Sequence, residues 1–109
     1  MQYSESPIAV VGLGYVGLPL AVEFGSRRKV IGFDTNDARI KELKKGLDNT
    51  LETTNQELKD AVSLSYTNSL KDIKDCKIFI ITVPTPVDKN KQPNLSPLKD
   101  ASEAIGSIL

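Results

Sequence analysis

The sequence contains no histidine and only one cysteine, Cys76, among its 109 residues. A single cysteine cannot form a disulfide within the chain. Without a histidine, its thiol also lacks the base that most often activates a cysteine nucleophile. Cys76 stands between Asp75 and Lys77 at the start of an apolar run. We therefore predict that Cys76 is structural, and that the chain carries no catalytic residue and no metal site.

The sequence also lacks an excess of charge of either sign and any long apolar run. Its 14 basic and 14 acidic residues give a formal net charge of zero, which does not suit a nucleic-acid-binding surface. No apolar run approaches the roughly 20 residues that span a bilayer. Residues 1–7 lack the basic and apolar regions of a signal peptide. With no internal disulfide, these features predict a cytoplasmic protein of one small domain that binds neither nucleic acid nor membrane.

A short apolar run followed by a glycine-rich turn is the most informative feature present. Residues Ile8–Val11 predict a buried strand, and Gly12, Gly14 and Gly17 then follow as G-x-G-x-x-G. In a dinucleotide site, Gly12 permits the tight turn and Gly14 lets the backbone approach a pyrophosphate. Gly17 lets the next helix pack closely on the strand. The start of that helix would offer N–H groups and a positive dipole end to the phosphates.

An acidic residue lies at the end of the second predicted strand. The strand Lys29–Phe33 ends at Asp34, which is 22 residues after Gly12, near the spacing of roughly 20 that places a carboxylate on the adenosine ribose. Because its charge would repel a 2′-phosphate, Asp34 favours NAD over NADP. The alternative is that Asp34 only caps the next helix.

Two further features fall near the same predicted edge of the sheet. Arg39, on the first turn of the second helix, could reach the adenine or its ribose, or it could be an ordinary surface arginine. The apolar run at residues 76–83 predicts a central parallel strand that ends in a proline turn. We expect the turn, with Val83, Pro84 and Thr85, to face the cofactor, and Thr85 to supply polar groups. The alternative is a rigid strand terminator.

The remaining pattern alternates strands and helices, which implies a parallel sheet with right-handed crossovers. We predict an α/β, Rossmann-like, doubly wound parallel sheet, truncated after the fourth strand and its helix. In this scheme strands one and four flank the ligand crevice. Details of the prediction are Leu47 on the inward face of the second helix, a helix cap at Asn68, and a last helix with Ser96 as N-cap, Pro97 at N1 and Leu98 facing inward.

Several stretches resemble a known family. Residues Ile8–Leu20, Ile31–Asp34 and Val83–Pro86 are similar to the N-terminal NAD-binding domain of the UDP-glucose/GDP-mannose dehydrogenase family. The stretches Gly46–Glu52 and Pro93–Leu98 resemble its bacterial branch, which acts on UDP-N-acetylhexosamines in capsule or O-antigen synthesis. The particular residues of the glycine turn and of the proline turn are far more specific for this family than the G-x-G-x-x-G spacing alone.

The resemblance implies an oxidoreductase that converts the C6 hydroxyl of a UDP-sugar to a carboxylate, using two NAD. It also implies that Tyr15, Val16, Asp34, Arg39 and Thr85 contact NAD. Of these, Tyr15 and Val16 come from the family alone.

The chain departs from the family in what it lacks. Family members are longer, and their nucleophilic cysteine, a lysine, an asparagine and a Glu-Ser-Thr motif have no counterpart here. We therefore predict that residues 1–109 are the N-terminal part of a NAD-binding domain. This part should be inactive alone, and it should self-associate through the edge of strand four or the last helix.

Two other classes of protein stay open. One is a stand-alone module that senses NAD or another nucleotide without catalysis. The other is the cofactor domain of a hydroxyacid-type dehydrogenase. The reading frame beyond Leu109 would discriminate among the three.

Overall fold

The computed structural model describes residues 7–14, 16–48, 53–82 and 95–108. Strands and helices alternate along these residues, as the sequence pattern predicts. The elements are β1 (Ile8–Val11), α1 (Gly17–Gly25), β2 (Val30–Phe33), α2 (Asp37–Lys44), α3 (Asn55–Asp60), β3 (Leu64–Thr67), a 3₁₀ turn (Leu70–Asp72), β4 (Ile78–Ile81) and α4 (Ser96–Gly106).

The four described strands form one parallel sheet in the order β3-β2-β1-β4. In its centre, Ile8 of β1 is paired with Val30 of β2 and with Ile78 of β4. All four residues of β1 are buried, as expected for a strand covered on both faces. The predicted parallel sheet is confirmed. Within the described residues, however, β4 lies at an edge of the sheet and not in its centre.

The sheet separates two apolar layers. On one face, the cluster contains Val10 of β1 together with Leu18 of α1 and Leu43 of α2. On the other face, Val11 of β1 belongs to a cluster with Ile105 of α4. Because side chains alternate along a strand, β1 supplies both layers. The predicted Rossmann-like architecture, with helices on both faces of the sheet, is therefore confirmed.

The ends of the two middle helices follow from local chemistry. Asn36 is the N-cap of α2, and its side chain accepts a hydrogen bond from the Arg39 N–H at 3.2 Å. The helix ends before Gly46, whose φ of +80° suits glycine. Thr54 and Glu57 form a capping box at α3, which the spacing of the two residues predicts.

Four further details of the prediction are wrong. Leu47 is 49% exposed and not inward-facing, because α2 ends before it. Asn68 caps no helix; its amide donates to Asp37 Oδ1 at 3.1 Å, and Ser69 precedes the 3₁₀ turn. Ser96 is already inside α4, whose N-cap is Leu95, and Pro97 is therefore at N2 and not at N1.

The fourth error concerns the face that α4 presents to the sheet. Leu98 is 39% exposed, whereas Pro97 and Ala101 are half-buried and Ile105 is buried. The inward stripe therefore runs through residues four positions apart, and Leu98 lies beside it. This stripe also forms one wall of the cleft at the carboxyl end of the sheet.

Candidate functional site

A cleft of about 620 Å³ opens at the carboxyl ends of β1 and β2. The turn Gly12–Gly14 forms its floor, Asp34 and Thr35 follow from β2, and Thr82 follows from β4. The inward stripe of α4 closes the opposite side. In an open α/β sheet, this crevice beside the switch in strand order is where ligands bind.

The glycine turn has the backbone that its spacing predicts. Gly12 has a φ of 101°, which residues with a side chain rarely adopt. A Cβ on Gly17 would lie 1.7 Å from the Gly12 carbonyl oxygen and 2.3 Å from Thr82 Oγ1, whereas a Cβ on Gly14 would meet nothing within 4 Å. The tight turn at Gly12 and the close packing at Gly17 are confirmed. The open space at Gly14 is compatible with a pyrophosphate, which stays a prediction.

Leu13, inside the glycine turn, is held on three sides. Its side chain is fully buried and covers Gly32 of β2, where an added Cβ would lie 2.9 Å from Leu13 Cδ2. Its N–H donates to Asp34 Oδ2 at 2.9 Å. Its carbonyl accepts a hydrogen bond from Arg39 Nε at 2.7 Å. The two charged residues singled out by sequence therefore meet at one residue of the turn, Leu13, and bind the peptide groups on its two sides.

Asp34 is partly buried at the end of β2 and lines the cleft. Its Oδ1 accepts from the Asn36 N–H and its Oδ2 from the Leu13 N–H, both at 2.9 Å. Each carboxylate oxygen can accept a further hydrogen bond, so ribose hydroxyls can still be accommodated. The alternative role as a helix cap is wrong, because Asn36 is the N-cap of α2.

Arg39 is only 7% exposed, so the alternative of an ordinary surface arginine is wrong. Its Nη1 donates to Asp48 Oδ1 at 2.8 Å and lies 3.5 Å from Glu42 Oε1. Its Nη2 is buried and has no hydrogen-bond partner among the residues that the structure describes. The guanidinium group therefore lies against the glycine turn, while a direct contact with NAD stays a prediction.

Three residues at this site were not predicted from the sequence. Asp48, whose side chain is fully buried, accepts hydrogen bonds at Oδ2 from both the N–H and the Oγ1 of Thr53, each at 3.0 Å. Thr82 donates from Oγ1 to the Gly12 carbonyl at 2.8 Å. Only Thr82 carried a usable signal, as a hydroxyl near the end of the apolar run at residues 76–83.

The predicted residues Tyr15, Val83, Pro84 and Thr85 lie outside the described residues. Val16 is described; it is 69% exposed and is the N-cap of α1, without a side-chain cap hydrogen bond. The first turn of α1 also carries no acidic residue. No acidic side chain on this first turn therefore offsets the attraction of the helix dipole for an anion.

The charged side chains among the described residues of the cleft wall are both acidic, Asp34 and Asp100. Cys76 lies elsewhere, 5% exposed in the apolar layer that contains Ile105. Burial raises the pKa of its thiol, with a smaller contribution from Asp75, so it is a poor nucleophile. No cluster of metal-binding side chains occurs in the part of the chain that the structure describes.

This fold and this cleft define a dinucleotide-binding domain of the Rossmann type. The sequence model of the UDP-glucose/GDP-mannose dehydrogenase family, NAD binding domain, matches residues 6–109. The chain therefore belongs to the UDP-glucose/GDP-mannose dehydrogenase family, and its cofactor is NAD. The membership confirms the resemblance and separates the chain from the hydroxyacid-type dehydrogenases.

Two relatives and one solved structure match the chain over most of its length. The chain is 61% identical over 102 residues to UDP-N-acetyl-D-glucosamine 6-dehydrogenase of Pseudomonas aeruginosa, covering 94% of the chain and 24% of that protein. It is 57% identical over 105 residues to the enzyme of the same name from Salmonella typhi, covering 96% and 25%. The structure of UDP-D-ManNAc dehydrogenase from Pyrococcus horikoshii superposes with a TM-score of 0.88 at 34% identity, covering 94% and 26%. The chain thus spans about a quarter of the length of these relatives.

None of the helices in the described ranges has the length and apolarity of a bilayer-spanning helix.

Proposed function

We propose that this chain is the NAD-binding part of a UDP-N-acetylhexosamine 6-dehydrogenase. The longer protein would oxidise the C6 hydroxyl of the sugar to a carboxylate, passing one hydride to each of two NAD in succession. The observation that carries the proposal is the convergence of Asp34 and Arg39 on the backbone of Leu13, at the floor of the cleft. The family and the similarity to UDP-N-acetyl-D-glucosamine 6-dehydrogenases support the substrate class.

The residues present fit a dinucleotide. The open space at Gly14 and the uncapped start of α1 suit the pyrophosphate. Asp34 would accept hydrogen bonds from the adenosine ribose. On the strength of the family, we place Tyr15, Val16, Arg39 and the segment Val83–Thr85 among the NAD contacts.

Discrimination between NAD and NADP is proposed to rest on charge. Asp34 and Asp100 are the charged residues of the described cleft wall, and neither could compensate the charge of a 2′-phosphate. The negative charges of a carboxylate and a 2′-phosphate repel each other and disfavour NADP binding, whereas neutral ribose hydroxyls can donate to a carboxylate.

Calorimetric titration of NAD and NADP into the natural protein that carries this chain tests the cofactor site. We expect saturable NAD binding, weaker NADP binding, and loss of NAD affinity in Asp34→Ala. Asp60→Asn is the matched control, because Asp60 is an exposed acid on α3 that contacts Gln56. A wild-type protein that binds NADP as tightly as NAD would contradict the assignment of Asp34.

The substrate class has its own test. We expect the natural protein to reduce two NAD per UDP-N-acetylhexosamine, and to turn over UDP-glucose more slowly. Absorbance of NADH reports the rate and the stoichiometry. Equal or faster turnover of UDP-glucose would contradict the proposed branch. The 109-residue chain alone should produce no NADH, because it contains none of the family's catalytic groups.

The cellular setting follows the same proposal. We place the protein in the cytoplasm, where it would make nucleotide sugars for the synthesis of polysaccharides such as capsule. We propose no nucleic-acid or membrane partner. The balanced charge of the chain supports this setting.

We further propose that the 109-residue chain forms homo-oligomers through β4. Among the described strands, β4 pairs only with β1, and all four of its residues are half-buried. An unpaired apolar edge is a template for a second copy of the chain. Light scattering after size exclusion should give a mass above that of the monomer, rising with concentration. A monomer of 11.9 kDa at high concentration would contradict this.

A further inference from the structure

We infer that Asp48 and Thr53, in the connection between α2 and α3, are positioning residues for the glycine turn that binds NAD. Neither residue lines the cleft. They act through Arg39, whose side chain joins their connection to the Leu13 carbonyl. The inference rests on the proposed NAD site and adds to it a set of residues beyond the cofactor contacts.

The contacts form a continuous path. Thr53 donates from its N–H and its hydroxyl to Asp48 Oδ2. Asp48 Oδ1 accepts from Arg39 Nη1 at 2.8 Å, and Arg39 Nε donates to the Leu13 carbonyl at 2.7 Å. The Leu13 N–H is in turn held by Asp34. The two peptide groups that flank Leu13, between the first two glycines, are thus each held by a charged side chain, one by Asp34 and the other by Arg39.

Burial makes this path rigid. The side chain of Asp48 has no exposure and that of Arg39 has 8%. A buried ion pair contributes less to stability than its geometry suggests, because both charges must be desolvated, but it fixes the relative position of the groups it joins. Here it joins three separate segments: the glycine turn, α2 and the connection after α2.

Within the described ranges the Nη2 of Arg39 has no hydrogen-bond partner, which supports a positioning role. Buried polar atoms are nearly always hydrogen-bonded, so an arginine kept for stability alone would be expected to satisfy this group. Its orientation is instead fixed by Nε and Nη1. The forked geometry of a guanidinium suits this use, because two donors hold it in one plane.

A second acidic residue competes with Asp48 for the Arg39 guanidinium group. Glu42 Oε1 lies 3.5 Å from the same Nη1, one turn along α2. When Asp48 or its support from Thr53 is weakened, Glu42 can draw Nη1 toward itself and lengthen the bond to Leu13. The glycine turn would then lose its alignment with the pyrophosphate, and small misplacements of binding groups have large effects.

Calorimetric titration of NAD into the natural protein tests the inference, with Thr53→Val as the principal variant. It removes the hydroxyl while keeping the shape of the side chain. We expect NAD binding to weaken about tenfold, equivalent to about 1.4 kcal/mol. Thr53→Ser retains the hydroxyl and should restore the wild-type Kd. Asp48→Asn should weaken binding further, and Asp60→Asn, with the same loss of charge on exposed surface, should not.

A double-mutant cycle with Arg39→Gln separates positioning from a general loss of structure. Because Thr53 acts through Arg39, Thr53→Val should have no further effect on the NAD Kd in the Arg39→Gln background. Thermal unfolding shows whether each variant is folded. If Asp48→Asn does not fold, the NAD Kd of Thr53→Val alone tests the inference. A wild-type protein that fails to bind NAD overturns the proposed function. Wild-type binding with an unchanged Kd in folded Thr53→Val, or additive effects in the cycle, overturns this inference alone.

Discussion

At the scale of single residues, glycines of one motif have separable roles. A Cβ on Gly17 would overlap the Gly12 carbonyl oxygen and Thr82 Oγ1, so α1 and the end of β4 would have to move apart. We expect Gly17→Ala to lower the free energy of unfolding by about 3 kcal/mol, at the upper end of overpacking effects. Urea denaturation measures this.

The control for that substitution is Gly106→Ala, at the end of α4. A Cβ there meets nothing within 4 Å, so stability should stay equal or rise by up to about 1 kcal/mol. Equal losses in the two variants would show that the close approach at Gly17 does not limit the fold.

Gly14→Ala should have the opposite balance of effects. A Cβ at Gly14 meets no protein atom within 4 Å, and its φ is not in the left-handed region, so the fold should tolerate alanine. In the proposed site, the methyl group would occupy space needed by the pyrophosphate. We expect NAD affinity to fall at least about tenfold with the urea midpoint nearly unchanged. An unchanged NAD Kd in this variant would place the pyrophosphate elsewhere.

At the scale of elements, α3 depends on its capping box. The helix is six residues long and buries Leu58, so it has little stability of its own. The Thr54 hydroxyl accepts from the Glu57 N–H at 3.1 Å, and Glu57 Oε1 accepts from the Thr54 N–H at 2.9 Å. Thr54→Ala should therefore cost about 1 kcal/mol in urea denaturation.

Thr54→Ser keeps the accepting hydroxyl and should retain most of that stability. If Thr54→Ser lowers the free energy of unfolding as much as Thr54→Ala, the threonine methyl group and not the cap would account for the effect.

Elements were predictable where their signals are local. The strand β1 has the predicted bounds, and the caps of α2 and α3 come from residues next to those helices. Ser96 was misassigned because Ser-Pro is a start signal whose register can shift by one residue. The position of Leu98 depends on how α4 is rotated against the sheet, which its own sequence does not determine.

At the scale of the whole molecule, alternation and the glycine spacing were enough to predict the doubly wound sheet and the place of its cleft. The path from Thr53 through Asp48 and Arg39 to Leu13 was not predictable in this way. One of its hydrogen bonds, from Arg39 to Leu13, joins residues 26 positions apart, and the whole path depends on one buried guanidinium. Arg39 could be singled out by its place near the end of the second strand, but in the sequence Asp48 is simply one of 14 acidic residues.

Tyr66 makes the free energy of unfolding depend on pH in the alkaline range. Burial raises its pKa from 10.0 to about 12; Arg39 lowers it and Asp48 raises it, both by smaller amounts. Between these values the unfolded chain loses the phenol proton while the folded chain keeps it. The unfolded state then binds fewer protons, so the free energy of unfolding falls as pH rises. The contribution is therefore complete below pH 10 and is lost by about pH 12.

Tyr66→Phe isolates this contribution from the other groups that titrate at high pH. Stability measured by urea denaturation from pH 9 upward should decline less steeply in the variant, because phenylalanine has no proton to lose. The difference between the two curves should develop mainly above pH 10, the ordinary pKa. Parallel curves for the two proteins would mean that the Tyr66 phenol ionises equally in the folded and unfolded states, and that the apolar layer around β3 admits water.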